Sequence, residues 1–264
     1  MEPIVLVRER LMTRYERTYA TAHFEITTSR VLCRDRLVIG RYSVTPHYDE
    51  LVEDLALLGS RLVNSLAEHR WITSFAWYDA LQDFTPQTWS EDEFAICAAD
   101  GPFVVRGRQH SKKWNWQTHM YAANKRAALR VAQRLKEDGD LQEQGVVFRR
   151  YVPLRTFEVI RNGLPVTNEW RFYYYRTERL GYGYYWSISD AHASAQVSSG
   201  AVALADQIAA IAARFATFFT LDLAETSTGD WILIELNDGQ MASPGEHDWD
   251  QLYRHLRRCC TATC

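Results

Sequence analysis

The sequence has few cysteines, and their spacing excludes two common uses of this residue. Only five of the 264 residues are cysteine, and none belongs to a Cys-x-x-Cys pair or lies near histidines at zinc-ligand spacing. The odd number also disfavours a disulfide framework. We therefore expect reduced thiols and a cytoplasmic protein. The cysteines are Cys33, Cys97, Cys259, Cys260 and Cys264.

The sequence also lacks a membrane-spanning run and an excess of positive charge. The longest apolar stretch, residues 201–219, contains Asp206, Gln207 and Arg214, whose burial in a bilayer would be costly. Charged residues at positions 8–10 break the early apolar run, which disfavours a signal peptide. A net charge of −3 provides no overall attraction to nucleic acid or acidic membranes. We expect neither as a partner.

Several catalytic signatures are absent. The sequence contains no Gly-x4-Gly-Lys-Ser/Thr loop, Gly-x-Gly-x-x-Gly turn, Gly-x-Ser-x-Gly elbow or His-Glu-x-x-His helix. These absences disfavour P-loop ATPases, dinucleotide-dependent dehydrogenases, α/β-hydrolases and zinc proteases. The content of 47% hydrophobic and 24% charged residues is that of a folded globular protein. This length fits one large domain or two to three lobes.

Strand-like and helix-like segments alternate along the chain and predict an α+β fold. We expect an N-terminal α/β region over residues 1–95, a small lobe over 96–152 and a C-terminal lobe over 153–264. Apolar spacing predicts helices over residues 51–62, 118–136 and 198–218. Asn162-Gly163 predicts a hairpin turn. Strand patterns cover residues 103–105, 146–148, 170–175, 182–186, 219–224 and 231–236.

The most informative stretch runs from Leu221 to Gln240, where two strand patterns flank a turn. If Thr228 and Gly229 form the loop, counting outward places Asp222 directly opposite Glu235. Directly opposed side chains on a sheet have Cβ atoms roughly 4.5–5.5 Å apart, so two carboxylates there repel each other. A divalent cation would offset that repulsion.

Asn237 lies two residues after Glu235 and therefore on the same strand face. Two carboxylates and one amide oxygen suit Mg²⁺, which completes its shell with water and substrate phosphates. The alternative is a solvated hairpin with polar residues on its outer face. The pattern alone leaves both interpretations open.

A second signal is a local excess of positive charge. Residues 101–136 contain nine basic side chains and no Asp or Glu. Arg106 ends a strand and Lys113 follows in a basic loop, where both could contact phosphates. For the basic residues of the following helix, we favour a solvated face.

A third signal is a set of charged residues near strand ends. Arg149 and Arg150 precede Tyr151-Val152, and Glu169 and Arg171 flank Trp170 at the start of an aromatic strand. Arginines in such places can bind phosphate oxygens with two hydrogen bonds at once. The alternative is that these residues form structural ion pairs.

The order of these pieces resembles the ATP-grasp superfamily. The resemblance covers about residues 96–245 and is most specific at LDLAETSTGDWILIELND, where the D-alanine–D-alanine ligases place an Asp and a Glu-x-Asn as metal ligands. It implies that Asp222, Glu235 and Asn237 bind Mg²⁺. Arg106 matches a strand-end position where many members have a phosphate-binding lysine, and VVFRRYV resembles their adenine-binding hinge. The EWR and ELNDGQ motifs are similar to a divergent clade of predicted peptide or amide ligases of bacteria and phages.

The resemblance implies two lobes that grip ATP, and a ligase that joins a carboxylate to an amine, including those of peptides, through an acyl phosphate. It assigns catalytic roles to Arg106, Lys113 and Arg171. The sequence departs from the D-alanine ligases at Thr220, where that family has an arginine, and its flap is poor in glycine. The nucleotide-binding set is Arg106, Lys113, Arg149, Arg150, Tyr151, Val152, Glu169 and Arg171.

Two alternatives remain for the function. One is a phosphotransferase or an RNA-directed enzyme on the same scaffold. The other is a nucleic-acid-binding module that uses KKWNWQTHMYAANKR, residues 112–126. For the N-terminal region we expect a role in shaping the acceptor pocket, for example through Arg41, Tyr42 and His47. The sequence gives no indication of the oligomeric state.

Overall fold

Three four-stranded sheets and one two-stranded hairpin make up the strands of the described chain. The structure is a computed structural model, and it describes residues 1–8, 11–42, 44, 47–108, 111–138, 145–187, 194–243 and 245–262. Helices pack against each of the larger sheets. The α+β class expected from the alternating patterns is confirmed.

The N-terminal region forms a parallel sheet in the order β2-β1-β3-β4. Its strands carry runs of buried Val, Ile and Leu because both faces of a parallel sheet are covered. The strands are β1 (Glu2–Leu6), β2 (Glu25–Thr27), β3 (Arg36–Ile39) and β4 (Arg61–Leu62). The helices are α1 (Arg14–His23), α2 (Tyr48–Leu57), α3 (Leu66–Thr73) and α4 (Trp77–Leu81).

The second sheet is antiparallel, in the order β5-β8-β6-β7, with the longest helix of this lobe packed on it. Val131 and Leu135 of that helix pack against Phe103, Val105 and Phe148 of the strands. The first strand pairs with the last, so the sheet includes residues before position 96. The elements are β5 (Thr88–Trp89), α5 (Glu91–Ile96), β6 (Phe103–Gly107), α6 (Trp116–His119), β7 (Tyr121–Ala122), α7 (Lys125–Glu137) and β8 (Val146–Arg150).

The third sheet is also antiparallel, in the order β12-β11-β13-β14. A hairpin precedes it in the chain, with Asn162 in the left-handed backbone region at a φ of 65°. The predicted hairpin turn is therefore confirmed. The elements are β9 (Thr156–Val159), β10 (Pro165–Thr167), β11 (Glu169–Tyr175), β12 (Glu178–Tyr184), α8 (Ser199–Ala212), β13 (Phe218–Glu225), β14 (Trp231–Asp238) and α9 (Trp249–Ala262).

The two faces of this third sheet have different neighbours along part of their length. Phe172, Leu221 and other residues of one face pack against α8 and α4. Tyr173 and Tyr175 on the opposite face pack against the N-terminal sheet and α9. The remainder of that second face, toward Arg171, is left for a cleft.

Three predicted helices have wrong bounds, and each has a local cause. The helix expected over 51–62 ends at Leu57, because Gly59 at a φ of 71° lets the Ser60 N–H bond the Leu55 carbonyl and the Gly59 N–H bond that of Ala56. Leu62 lies instead in β4.

The other two corrections concern later helices. The helix expected over 118–136 starts at Lys125, because the Asn124 side chain accepts from the Ala127 N–H and caps it. Its expected end near Gly139 lies outside the described residues. The helix capped by Ser198, as expected, ends at Ala212, and Phe218 begins β13.

The described cysteines carry free thiols at positions 33, 97, 259 and 260. Within the described ranges, no helix is both long enough and apolar enough to cross a membrane.

Candidate active site

A cleft lies between the second sheet and β14 of the third. Its deeper part is an apolar cavity, with Val104 and Met120 from the small lobe and Ile232 and Ile234 from β14. The connection between the lobes contributes Tyr151, Val152 and Leu154 to the wall. The predicted hinge segment is therefore part of this cavity.

A second cavity of about 300 Å³ adjoins the first. The two share the lining residues Arg106, Lys113, Tyr185 and Glu235, so charged side chains lie where the cavities meet. The N-terminal region contributes one wall through α3. The other lining residues are His69, Ile72, Thr73, Arg108, Ser111, Arg171, Leu236, Asn237, Asp238, Met241, Ala242 and Ser243.

The β13–β14 register brings the predicted carboxylates together. Asp222 is the direct partner of Glu235, and Thr220 is the partner of Asn237. The predicted two-residue loop is wrong, because Thr226 pairs with Asp230 and leaves three residues in the turn. A bulge between Asp222 and Leu223 adds one residue on the β14 side and restores the predicted pairing.

This bulge also shapes the cleft. Leu233 pairs with Leu223 and Glu235 with Asp222, so Ile234 is the extra residue. Ile234 and Glu235, although consecutive, both line the first cavity, while Leu233 is buried in the core behind it. The bulge therefore places a carboxylate beside an apolar wall.

Side chains from outside the strand pair hold the bulge. The Arg149 guanidinium donates to the Ile234 carbonyl at 2.6 Å, and the Thr85 hydroxyl donates to the Leu233 carbonyl at 2.7 Å. Arg149 also donates to Thr85 Oγ1 at 2.6 Å. Burial, with a contribution from Arg106, lowers the pKa of Arg149 to about 10. Arg149 thus connects the small lobe to the bulge through contacts that the sequence did not indicate.

Arg171 and Asp222 form a buried ion pair on the cleft face. The Arg171 guanidinium donates to both Asp222 carboxylate oxygens at 2.7 Å, and also to the Ser243 carbonyl at 2.7 Å. The two residues are direct partners across β11 and β13. Asp222 is fully buried, so it lies below the surface of the cavity.

Arg106 and Glu235 form the second ion pair and join the two lobes. Arg106 is buried, and its Nε donates to the Gly107 carbonyl at 3.0 Å. Burial raises the pKa of Glu235, but Arg106, Arg171 and Lys113 together outweigh burial and hold that pKa at about 2. Glu235 therefore carries its charge throughout the neutral range.

Lys113 and Glu169 have shifted pKa values beside these pairs. Lys113 lies over the Tyr185 and Trp186 rings, at 4.2 and 5.1 Å from their centroids, and donates to the Tyr185 hydroxyl. Burial lowers the pKa of Lys113. Burial and the Asp222 charge raise the pKa of Glu169 to about 7 against the opposing effects of Lys113 and Arg171.

The remaining predicted site residues have other contacts. Arg150 lines the first cavity, but its guanidinium donates to the Asp100 carbonyl at 2.6 Å and lies over Trp89 and Phe103. The predicted basic loop includes positions 109 and 110, which lie outside the described residues.

The N-terminal residues expected at the acceptor pocket are a correction. Arg41 and Tyr42 lie in a buried network with Glu16, and His47 is largely exposed beside Glu50. None of the three lines either cavity of the cleft. Their positions follow from the turn after β3, which directs Arg41 toward α1.

The donor chemistry at the cavity junction fits Mg²⁺ in type. Glu235 and Asn237 line the second cavity, and Asp222 lies next to them. Both Asp222 oxygens accept from Arg171, but each carboxylate oxygen has two lone pairs, so one remains on each. Within the described ranges, no group of three or more His, Cys, Asp or Glu side chains is arranged to hold a metal ion. The fit thus depends on the amide of Asn237.

Sequence comparison matches residues 92–256 to a family described as an ATP-grasp domain, the third family of its clade. No curated protein matches the chain.

Three solved structures are similar over nearly the whole length. A RimK domain protein ATP-grasp from Sphaerobacter thermophilus has a TM-score of 0.61 at 14% identity, with 98% of this chain and 99% of that chain covered. The D-cycloserine synthetase DcsG has a TM-score of 0.59 at 11% identity, with the same coverage. The ATP-grasp ligase PsnB, complexed with minimal precursor, Mg and ADP, has a TM-score of 0.57 at 11% identity, with 98% of each chain covered.

Proposed function

This chain belongs to the ATP-grasp superfamily, through the clade family that residues 92–256 match, and we propose that it is an ATP- and Mg²⁺-dependent ligase that joins a carboxylate to an amine. The observation that carries the proposal is the Asp222–Glu235 pair, which faces a cleft where Arg106, Lys113 and Arg171 gather. A carboxylate pair surrounded by cations suits a metal–phosphate complex.

The nucleotide occupies the apolar cavity in this proposal. Adenine packs between Val104 and Ile232, beside the Tyr151–Val152 backbone, and the phosphates extend toward Arg106 and Lys113. The support is that the apolar walls come from both lobes and that the charges begin where this cavity meets the second. Arg149 and Arg150 then serve as wall residues, because their guanidinium groups are engaged elsewhere.

Glu235 and Asn237 would hold Mg²⁺, with Asp222 as the adjacent third donor. When bound, the ion would offset negative charge on the phosphates. The ion pairs of the free protein suggest how the residues respond to the ligand. Arg106 and Arg171 neutralise Glu235 and Asp222 in this structure, and the same guanidinium groups can bind phosphate oxygens once the carboxylates have another counter-charge.

The chemistry needs no side-chain nucleophile. A substrate carboxylate oxygen forms a bond to the γ-phosphorus as the bond to ADP breaks, and an amine then attacks the resulting acyl phosphate and releases phosphate. Arg106, Lys113 and Arg171 lie where they can orient the phosphates and offset charge that develops during the transfer. PsnB, complexed with a precursor peptide, makes peptides the first acceptors to screen.

The test is calorimetric titration with the ATP analogue AMPPNP, with and without Mg²⁺. We expect Mg²⁺-dependent binding in the wild type and its loss in Glu235→Ala and Asn237→Ala. Glu225→Gln is the matched control, because Glu225 lies on the same hairpin and pairs with the half-exposed Arg155. Full binding in both cleft variants would contradict the proposed site.

The phosphotransferase alternative is favoured by one observation. Thr220 replaces the arginine of the D-alanine ligases, is fully buried, and its hydroxyl has no partner among the described residues. It therefore offers no positive charge to the cleft. A phosphorylated product that forms without any amine would support this alternative over ligation.

A further inference from the structure

We propose that His69 contacts the amine substrate in the second cavity and accepts its proton as the amide bond forms. This inference rests on the proposed ligase function and deepens it. It assigns the 300 Å³ cavity to the amine and gives the N-terminal region a chemical role.

Asp238 fixes the hydrogen-bonding state of His69. The imidazole Nδ1 lies 2.9 Å from Asp238 Oδ2. The carboxylate also accepts from the Asn64 amide at 3.0 Å, from the backbone N–H of Gln240 at 2.9 Å and from the Gln240 amide at 3.3 Å. Asp238 therefore acts as an acceptor, and Nδ1 donates to it. In a neutral imidazole this leaves the lone pair on Nε2.

The ring is also held against rotation. Tyr48 stacks on it, with ring centroids 3.7 Å apart and planes 16° from parallel. The Tyr48 hydroxyl donates to the Asn64 carbonyl at 2.6 Å, and Asn64 in turn bonds both the N–H and the carbonyl of Phe218. The imidazole thus sits on a network anchored in β13.

Nε2 is the atom left for the cavity. His69 lines the cavity, and its side chain is 8% exposed. Nε2 has no hydrogen bond to the described residues, and it is absent from the fully buried polar atoms that lack partners, so it keeps contact with solvent. A hydrogen-bonding nitrogen that is fixed in direction and open to a cavity is suited to contact a substrate.

The other charged groups of the cavity are poor proton acceptors. Arg106, Arg108 and Arg171 have guanidinium groups with no lone pair to offer. Glu235 is paired with Arg106, and Lys113 donates to Tyr185. Among the described lining residues, His69 is the neutral base that faces the space beside the phosphate-binding cluster.

The step balances as follows. The amine nitrogen bonds to the carbonyl carbon of the acyl phosphate, and the C–O bond to phosphate breaks. The phosphate leaves with the electron pair of that bond. The extra proton of the nitrogen passes to His69 Nε2 and then to solvent after product release.

The first experiment tests the geometry without a substrate. Diethyl pyrocarbonate acylates unprotonated imidazole nitrogens, and mass spectrometry of the treated full chain locates each modified histidine. We expect His69 to react despite its burial, with the exposed His47 as a positive control. Reaction of His47 without reaction of His69 would overturn the proposal.

The second experiment uses His69→Asn, whose amide can keep the hydrogen bond to Asp238 while Nε2 is removed. Hydroxylamine, a strong and already neutral nucleophile, replaces the amine in one arm. With the carboxylate and amine that support ADP release in the wild type, we expect amide formation to fall about 100-fold or more. Hydroxamate formation should stay within about threefold, because it reports the acyl phosphate.

The outcomes of the two proposals can be separated. An equal loss of amide and hydroxamate would overturn the role of His69 in proton transfer. Loss of Mg²⁺-dependent AMPPNP binding in the wild type would instead overturn the proposed function. His47→Asn is the matched control and should keep both products.

Discussion

Two clusters of buried charge use the same residue types but differ in how fully their hydrogen-bonding capacity is used. In the first, Glu16 accepts from Arg41 at 2.6 and 3.0 Å, from Tyr42 at 2.8 Å and from Tyr253 at 2.5 Å. Arg41 also donates to the Gly239 carbonyl at 2.5 Å. Both members of the ion pair are almost fully buried. This cluster joins the N-terminal region to α9.

The second cluster, in the cleft, is less complete. Arg106–Glu235 and Arg171–Asp222 are paired, but Glu235 borders two cavities and Glu169 has a pKa near 7. The same chemistry thus serves a structural role where the partners fill one another and a binding role where a cavity remains. The comparison indicates that burial of charge alone does not identify a site.

Breaking the first cluster should have the largest effect on stability. Arg41→Met leaves the Glu16 carboxylate buried without its cation, and we expect the free energy of unfolding to fall by about 3–5 kcal/mol. Urea denaturation followed by tryptophan fluorescence measures this change. The double variant Glu16→Leu/Arg41→Met should recover much of the loss, since no charge is then left unpaired. A loss below about 1 kcal/mol in the single variant would contradict the structural role.

Glu169 gives the cleft cluster a distinctive pH dependence. Its pKa is raised from 4.5 to about 7 in the folded state, so between these values the folded protein holds a proton that the unfolded chain has released. Stability due to this group therefore decreases as pH rises from about 4.5 to 7. We expect Glu169→Gln to gain stability over the wild type by on the order of 1–3 kcal/mol between pH 5 and pH 8.

Urea denaturation of both proteins at pH 5 and pH 8 measures this difference. Both proteins carry the other titratable groups in common, so the change in their difference isolates Glu169. A difference that does not change with pH would show that the carboxyl has an ordinary pKa.

Arg106→Ala should separate binding from stability in the cleft. Removing one charge-assisted contact to phosphate weakens Mg²⁺–AMPPNP binding by about 10- to 100-fold. Calorimetry measures it, with Arg150→Ala as the control, because that guanidinium already donates to the Asp100 carbonyl. An equal loss of affinity in both variants would contradict the different roles assigned to these arginines.

The carboxylate pair was predictable because strand alternation is local, whereas its environment was not. The Asp222–Glu235 pairing depended on a loop length that proved one residue short, and the bulge at Ile234 offset the error. The Arg171–Asp222 pair needs the β11–β13 register, which residues 51 positions apart do not reveal. His69 meets Asp238 across 169 positions. Contacts of this kind depend on how separate elements pack, and no local pattern encodes that packing.

An exposed ion pair on the same hairpin completes the comparison and should have the smallest effect. Arg155 lies 3.0 Å from Glu225, but it is half-exposed, and Asn168 also donates to that carboxylate at 2.6 Å. Water and the amide can replace the guanidinium, so Arg155→Ala should cost less than about 1 kcal/mol of unfolding free energy. Urea denaturation and AMPPNP titration should both give values near wild type. A larger loss would mean that exposure to solvent, rather than the filling of partners, fails to separate structural from dispensable charge in this sheet.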